Sequence, residues 1–359
     1  MVEWLAGNRI RGTSTERTST SGFNPISAVS GGWKELGRTT LGSTGDIINV
    51  TSIPDKRYYM VLMDEQGATL NALLYLGSGS ADTSQNYAKR TSLNGGTDAT
   101  TASAYQIFND GVGSNTGNFT AGYISNLSNK EKLGIFHTAH QNTAGAGTAP
   151  QRVEHVGKWT NTSNPIDYMR LHNYGGGDFS SGAELVVLGW DPDDTHTDNF
   201  WEELASVDLS GGAADALNSG TFTAKKYLWV QYFIEHTGAA TSSGTVRFNG
   251  DSGSNYAKRG SVDGGSDSTG INQDKIDLNI TTTDNYFANM FIVNNSAKEK
   301  LVTFYAIDQS GTGSGSTPQR LEAVAKWTNT STQITEVNVV NVSAGDFGTK
   351  STIKVWGHD

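Results

Sequence analysis

The sequence predicts an all-β protein, built as two tandem homologous antiparallel β-sandwich domains of jelly-roll type behind an N-terminal extended arm. Three observations lead to this prediction. A long stretch of sequence occurs twice, apolar and polar residues alternate over short segments, and glycine is frequent, at 43 of 359 residues. A helical period is not sustained anywhere in the chain. Short alternating segments between turn-forming residues are typical of sandwiches and of small barrels, so a small barrel is the alternative.

The clearest repeat begins at Pro150 and again at Pro318, and its two copies read PQRVEHVGKWTNTS and PQRLEAVAKWTNTS. Shorter matches occur in the same order through both halves, such as NYAKR at Asn86 and at Asn255. Repeated landmarks in one order indicate a duplicated structural unit. The predicted parts are an arm at residues 1–32, a first domain at 33–191, a linker at 192–200 and a second domain at 201–359.

Alternating apolar segments follow one another through the first domain, separated by turn clusters. They predict strands near residues 46–53, 58–63, 69–76, 119–126, 133–139, 151–159, 165–171 and 184–190, and the second domain repeats the pattern. Residues 91–118 and 260–277 are rich in Gly, Ser, Thr, Asn and Asp and differ between the copies. They are predicted to be irregular loops, which in compact domains often bind partners.

The repeated stretch is itself predicted to be a strand, so its side chains alternate between two faces. We interpret one face as a core face, formed by Val153, His155, Gly157 and Trp159. The other face repeats its charges unchanged in both domains: Arg152, Glu154 and Lys158, then Arg320, Glu322 and Lys326. We interpret these charges as a salt-bridge ladder inside each domain, which in the first domain would pair them with residues 130–132. A subunit contact repeated in both domains is the alternative.

Residues 1–32 match neither repeat and are polar, rich in hydroxyl groups and locally basic. Such a segment buries too little apolar area to fold alone. We predict an arm that becomes ordered on a partner surface, with apolar anchors at Trp4, Leu5 and Ile10. Its basic residues would meet carboxylates of the partner: Arg9, Arg11 and Arg17. A tail without a partner is the alternative.

Composition argues against several classes of function. The net charge of −10 and the pI of about 5.2 disfavour nucleic acid as a partner. Cysteine is absent, which excludes disulfide bonds, thiolate metal sites and a cysteine nucleophile. No apolar run approaches the length of about 20 residues that spans a bilayer, so membrane insertion is not expected.

Motifs for catalysis, metals and cofactors are also missing from the sequence. None of its seven histidines occupies the same position in both domains, and no hydrolase, zinc or nucleotide motif occurs in its proper context. The acidic residues 191–198 offer oxygens to Ca²⁺ but lack the glycine and distal glutamate of an EF-hand loop. We therefore predict no catalytic residues, no metal and no cofactor. The strand tryptophans are predicted to pack in the core rather than to form a sugar platform: Trp33, Trp159, Trp190, Trp201, Trp229, Trp327 and Trp356.

Tandem Gly/Ser/Thr/Asn-rich β-domains without cysteine, together with the phrases WKELGRTTLG from Trp33 and KWTNTS from Lys158, resemble accessory structural proteins of tailed phages and related viruses. The resemblance implies a non-enzymatic virion component, a capsid decoration or head-fibre protein, assembled in the host cytoplasm. Its implied partners are the major capsid protein or other virion subunits and further copies of itself, as a trimer by analogy. A carbohydrate-binding or receptor-binding adhesin, tail-associated or bacterial and directed at a host glycan, is the alternative. A glycan-cleaving enzyme is the third reading.

Overall fold

The computed structural model describes residues 32–110, 117–174, 176–192, 194, 196, 198–237, 240–277 and 283–359. The predicted anchors of the arm therefore lie outside the described residues: Trp4, Leu5, Arg9, Ile10, Arg11 and Arg17. Every regular element in the described part is a β-strand, and no helix with the length and apolar character of a membrane span occurs there.

The strands of the first domain are β1 (Lys34–Thr40), β2 (Ile47–Thr51), β3 (Tyr58–Gln66), β4 (Ala72–Ser78), β5 (Ser80–Ala81), β6 (Tyr87–Leu93), β7 (Ala99–Ala104), β8 (Phe108–Asn109), β9 (Gly117–Ser125), β10 (Lys132–His140), β11 (Gln151–Trp159), β12 (Tyr168–Asn173) and β13 (Glu184–Trp190). Those of the second domain are β14 (Glu202–Asp208), β15 (Ala216–Asn218), β16 (Tyr227–Ile234), β17 (Gly244–Phe248), β18 (Tyr256–Val262), β19 (Ser268–Gln273), β20 (Tyr286–Val293), β21 (Lys300–Asp308), β22 (Gln319–Trp327), β23 (Val337–Asn341) and β24 (Thr352–His358).

The first domain consists of two antiparallel sheets that face each other. The large sheet has eight strands in the order β1-β13-β3-β9-β10-β11-β6-β7, and the small sheet has the order β2-β12-β4-β5, with β8 paired to β4. Apolar side chains of both sheets fill the space between them, such as Ile48 and Leu74 from the small sheet and Val61 and Leu185 from the large one. Two sheets enclosing one apolar core form a β-sandwich.

The second domain repeats this arrangement. Its large sheet has eight strands in the equivalent order β14-β24-β16-β20-β21-β22-β18-β19, and its small sheet has the order β15-β23-β17. Leu217 and Val246 of the small sheet pack with Val230 and Val355 of the large sheet. The prediction of an all-β protein made of two tandem antiparallel β-sandwiches is confirmed.

The repeated stretch forms the equivalent strands β11 and β22. Trp159 and Trp327 are buried in the two cores, and each donates its indole N–H to an aspartate, Asp82 at 2.8 Å and Asp251 at 2.7 Å. The core face is narrow at Gly157, because a Cβ there would lie 2.2 Å from a backbone carbonyl oxygen of the facing segment. Close approach of that segment explains why only small residues stand at this position in the two copies.

Two segments that were predicted to be irregular loops contain regular structure, and that prediction is wrong. Within residues 91–118 and 260–277, strands β7 and β19 turn back on β6 and β18 and become the outermost strands of the large sheets. Their side chains are mostly exposed, and apart from alanine, glycine and Ile271 they are polar. An edge strand of this kind needs no apolar alternation, so its sequence resembles that of a loop.

The domains pack large sheet against large sheet. A separate apolar cluster lies between the outward faces of these sheets and includes Phe119 and Ala139 of the first domain and Phe291 and Leu301 of the second. Trp201, at the end of the linker, joins the same cluster. The layers therefore follow the order small, large, large, small, and the large sheets are covered on both faces where they meet.

Candidate functional site

The contact between the domains uses different halves of two equivalent faces. The first domain contributes what we call its docking half, formed by Phe119, Ala121, His137, Ala139 and Arg152. The second domain contributes what we call its receiving half, formed by Tyr227, Phe291, Leu301, Val324 and Lys326. The rings of Phe119 and Tyr227 stack with their centroids 6.2 Å apart. These apolar contacts form the centre of the interface between the domains.

Arg152 is the main polar group of this contact. Its Nη2 donates to Asp267 Oδ1 at 2.7 Å and its Nη1 lies 3.4 Å from Glu322 Oε2, both in the second domain. It also pairs with Glu154 on its own strand. The Arg152 side chain is 2% exposed and that of Asp267 is 3% exposed. A buried cation of this kind is tolerated only while its carboxylate partners are present.

Lys326 is the second buried cation of the contact. Its ammonium group donates to the backbone carbonyl of Gln141 at 3.1 Å and lies 3.7 Å from Glu299 Oε2. The equivalent Lys158 is half-exposed and pairs with Glu131 at 2.8 Å. The predicted ladder within a domain is therefore present at Lys158 and at Lys326, each beside the equivalent glutamate. Lys326 also reaches the backbone of the first domain, and Arg152 pairs with carboxylates of the second domain, because the two sheets meet face to face.

Carboxylates of the first domain close one edge of the contact. The Tyr227 hydroxyl donates to Glu184 Oε1 at 2.7 Å, and Lys226 Nζ lies 3.1 Å from both Glu184 Oε1 and Asp64 Oδ2. Asn295 Nδ2 donates to Asp64 at 2.9 Å. Burial alone would raise the pKa of Glu184, but Lys226 and the hydrogen bonds hold that pKa below its ordinary value.

The equivalence of the strands allows the two outward faces to be compared position by position. Strands β9, β10 and β11 occupy the places that β20, β21 and β22 occupy in the second domain. Each domain therefore has its own docking half and its own receiving half. Equivalent positions meet at the centre of this contact, because the His137 ring lies against Tyr305 and the rings of Tyr123 and Phe291 lie 6.5 Å apart. The contact is therefore close to two-fold, but it closes tightly only where the docking half of the first domain meets the receiving half of the second.

The receiving half of the first domain is open, and we call it the open face. Leu133 is 55% exposed whereas its equivalent Leu301 is 2% exposed, and Val156 is 45% exposed against 0% for Val324. Ile135, beside them on β10, is 61% exposed. A depression of about 390 Å³ on this face is lined mainly by aromatic and aliphatic side chains, among them Trp33, Tyr58, Tyr123, Leu133, Ile135 and Trp190. Contiguous exposed apolar surface of this kind marks an interaction site.

Most of the docking half of the second domain is also exposed, although Tyr305, the equivalent of His137, lies in the domain contact. Phe287 and Ile307 are exposed, and the Arg320 side chain is 60% exposed with one partner, Glu322 at 3.3 Å. Their equivalents are buried in the domain contact: Phe119, Ala139 and Arg152. The chain thus leaves the receiving half of its first domain and the outer part of the docking half of its second domain exposed.

Two titratable groups of the domain contact have strongly shifted pKa values. Burial raises the pKa of Glu154 to about 7; Arg152 opposes this rise, and the neighbouring Glu322 adds to it. Burial also lowers the pKa of His137 to about 3, and Arg152 lowers it further. The His137 ring lies against Tyr305, with centroids 4.5 Å apart. Both shifts favour the neutral form of the side chain between the domains.

The tryptophans fall on different surfaces of the sheets. Trp159 and Trp327 lie in the cores, as predicted. Trp33 and Trp190 line the open face, and Trp201 lies between the domains. The prediction of packing in a sandwich core is wrong for the other five tryptophans, because the outward face of each large sheet is apolar as well as its inward face: Trp33, Trp190, Trp201, Trp229 and Trp356.

The acidic clusters of the described residues are engaged by other protein groups. Asp194 of the linker pairs with Lys56. Inside the first sandwich Asn118 Nδ2 donates to Glu65 Oε2 and to Asp110 Oδ2, both at 2.9 Å. Burial and the neighbouring Asp110 raise the pKa of Glu65 well above its ordinary value, and neither carboxyl lines the open face. No group of three or more His, Cys, Asp or Glu side chains within the described ranges is arranged to hold a metal ion.

Comparison with known proteins identifies no family. No family model matches the chain, and no curated protein matches it. Among solved structures, mouse laminin alpha1 chain domains LG4-5 align over 90% of both chains with 8% identity and a TM-score of 0.16. Human GIVD cytosolic phospholipase A2 aligns over 76% of this chain and 33% of its own, with 7% identity and a TM-score of 0.10. The outer membrane protease OmpT of Escherichia coli aligns over 83% of this chain and 96% of its own, with 7% identity and a TM-score of 0.12.

The open face is a candidate functional feature that the sequence did not reveal, although a signal for it was present. Strand β10 reads KLGIFHTAH, with Leu133 and Ile135 outward and Phe136 inward. Apolar residues on both faces of one strand indicate a sheet that is covered on both sides. The same signal in β21, from Leu301 to Phe304, belongs to a sheet that is covered.

Proposed function

We propose that this chain is a non-enzymatic structural protein of a virion surface, of the capsid-decoration or head-fibre type, which acts by protein contact without turnover. The observation that supports the proposal most directly is the open face. Its equivalent in the second domain is a buried protein contact, so this surface has the composition and shape of one that protein covers. The virion assignment rests on the resemblance of the two repeats to accessory phage proteins, and the partners are the major capsid protein or other virion subunits.

The architecture is suited to a structural role. Two sandwiches that share a sheet-to-sheet contact form a stiff unit, because relative motion of the domains would expose the apolar cluster between the large sheets to water and separate Arg152 from Asp267. The arm at residues 1–32 would provide a second attachment besides the open face. Two attachments on one chain raise the apparent affinity for a lattice through effective concentration.

Incorporation into particles tests the proposal. Virions purified from the native host should contain the chain at a fixed ratio to the major capsid protein. Ile135→Asp on the open face should lower that ratio, and deletion of residues 1–32 should abolish incorporation while both domains remain folded. Ile47→Asp is the matched control, since Ile47 is also exposed but lies on the small sheet. Absence of the chain from particles would refute the virion role.

Carbohydrate binding is the second candidate, because aromatic rings border the depression of the open face. The ring centroids of Trp33 and Tyr123 lie 6.0 Å apart, and the ring of Tyr58 stacks on that of Trp190 with centroids 5.6 Å apart. Rings in such positions can stack on sugars. A glycan array with the native chain and a Trp33→Ala variant separates this function from protein contact, since sugar binding requires a signal that the variant loses. Release of reducing sugar from a bound polysaccharide would instead indicate a glycan-cleaving enzyme.

A further inference from the structure

We propose that residues 18–31, the part of the arm next to the first domain, cover the open face of the same chain while the chain is free of its partner. These residues lie outside the described ones, and the proposal is carried by their sequence and by the surface at which they end. It rests on the proposed function in one respect, that the open face is a surface that protein covers. It adds which segment covers that face before the partner does.

The arm joins the first domain at the border of the open face. Gly32 is the first described residue, and the next one, Trp33, lines the depression of about 390 Å³. The centroid of the Trp33 ring lies 6.0 Å from that of Tyr123, another residue of the lining. An extended chain advances at most about 3.6 Å per residue, so Ile26, seven positions before Trp33, can reach points up to about 25 Å from it. The depression is therefore within reach of residues 18–31.

The sequence of this segment suits an apolar surface. Positions 18–33 contain no charged residue, and Phe23, Ile26 and Val29 provide apolar side chains among small and polar residues. Burial of an unpaired charge is costly, so a segment that lies on an apolar face should lack charges. The basic residues that are predicted to meet a partner all precede position 18: Arg9, Arg11 and Arg17.

The second domain provides an internal comparison. Trp201 is the equivalent of Trp33 and lies in the apolar cluster between the domains, so the first domain covers its face. The segment before Trp201, residues 192–200, is acidic. Its carboxylates form ion pairs with lysines of the first domain: Asp194 with Lys56 and Asp198 with Lys34. The face that a domain covers thus follows an acidic segment, whereas the exposed face follows an uncharged segment with apolar side chains.

The exposed side chains of the open face give a physical reason for a cover. Leu133, Ile135 and Val156 are 55%, 61% and 45% exposed. Apolar patches of this kind favour association with other molecules. A tethered segment competes well with those molecules, because a short tether holds it at an effective concentration on the order of mM. The virion partner of the proposed function would take the place of residues 18–31 at this face.

Pairs of introduced cysteines test the contact in the full chain, which has no cysteine of its own. Ser27→Cys is combined with Leu133→Cys on the open face and, in the matched control, with Asn199→Cys. Asn199 is exposed and accepts the Gly32 backbone N–H at 2.7 Å, so it lies close to the start of the arm but does not line the depression. Under mild oxidation the intrachain disulfide to position 133 should form at least about 10-fold faster than that to position 199, because the cover places position 27 on the open face.

Two results of the cysteine experiment would overturn the proposal. If the disulfide to position 199 forms as fast as that to position 133, or faster, the segment only diffuses about its point of attachment. If the disulfides to position 133 form only between chains, the open face is occupied by a second copy.

The dye anilinonaphthalenesulfonate provides an independent test, because it binds exposed apolar surface. Ile26→Asp in the full chain should raise dye fluorescence several-fold, since the carboxylate is driven off the open face and releases the segment. Ile10→Asp, in the same arm but before position 18, should behave like the native chain. Addition of Ile135→Asp to Ile26→Asp should lower the fluorescence again, which places the dye on the open face. Far-ultraviolet circular dichroism should be the same for all these chains. Equal fluorescence of the native, Ile10→Asp and Ile26→Asp chains would contradict the cover.

The two tests fail separately from the proposed function. If both show no cover and the chain still enters particles through the open face, the proposed function stands alone. If both show the cover and the chain is absent from particles, the cover stands and the virion role fails. Ile26→Asp should enter particles at least as efficiently as the native chain, because its open face is already free. Lower entry of this variant would overturn the replacement of residues 18–31 by the partner.

Discussion

Replacement of Arg152 by alanine should be among the most damaging single changes on the surface between the domains. The side chain is 2% exposed and pairs with Asp267, Glu154 and Glu322. Its removal leaves Asp267, itself 3% exposed, with the more distant Arg259, whose Nη1 lies 3.9 Å from Asp267 Oδ2. Breaking a buried ion pair costs about 3 to 5 kcal/mol. Because Arg259 keeps part of the charge compensation, we expect Arg152→Ala to lower the free energy of unfolding by about 3 kcal/mol, the lower end of that range.

Arg320→Ala is the matched control for this change. Arg320 occupies the equivalent position of β22 in the same local sequence, PQR, but its side chain is 60% exposed and, among the residues that the structure describes, forms an ion pair with Glu322 alone, at 3.3 Å. Loss of an exposed ion pair costs about 0 to 1 kcal/mol. The two variants remove the same atoms from the same local sequence. Their difference, about 3 kcal/mol, therefore measures what the domain contact adds.

Urea unfolding followed by tryptophan fluorescence and far-ultraviolet circular dichroism measures both variants. The lowest workable protein concentration should be used, so that association between copies does not contribute. Arg152→Ala should also separate the two probes, because Trp201 and Trp229 lie at the domain contact and report its loss before the sandwiches unfold. Equal destabilisation by the two alanine variants, within about 0.5 kcal/mol, would show that Arg152 is not a buried interdomain ion pair.

Three further changes test the same contact. Lys326→Ala should cost about 3 kcal/mol and Lys158→Ala less than about 1 kcal/mol in urea unfolding, because only Lys326 is buried. Tyr227→Phe should cost about 1.5 to 3 kcal/mol in thermal unfolding, because Glu184 loses a buried hydrogen bond at 2.7 Å. His137→Leu should flatten the acid dependence of stability. With the His137 pKa near 3 in the folded chain and about 6.5 when unfolded, stability is lost as pH falls from 6.5 towards 3, at up to about 1.4 kcal/mol per pH unit. Equal slopes for the native and leucine chains would contradict the assignment.

Much of the sandwich could be predicted from the sequence because its cause is local. Period-two alternation places Val153 and Trp159 on one face of β11, and the predicted strand at residues 151–159 coincides with the observed one. The same holds for β13 at residues 184–190. Each strand carries its own apolar face, so its role in the core can be recognised without knowledge of its neighbours.

Strands whose side chains are not buried were missed for the opposite reason. β7 and β19 are held by backbone hydrogen bonds to β6 and β18, and their mostly exposed side chains contribute little to the core. Backbone pairing leaves no mark in the side-chain pattern. The open face escaped prediction because its residues were assigned to a core, as at Trp190, when they belong to the outward side of the sheet.

The sequence by itself determined the two sandwiches, their duplication and the alternation of each core strand, because these depend on side-chain polarity along one strand. It did not distinguish Arg152 from Arg320, or Leu301 from Leu133, since each pair has nearly the same neighbours in the chain. Only the tertiary structure decided which member is buried. The tight part of the contact joins unlike halves of the two large sheets. Burial and charge pairing there depend on residues that are far apart in the sequence, such as Arg152 and Asp267, which are 115 positions apart.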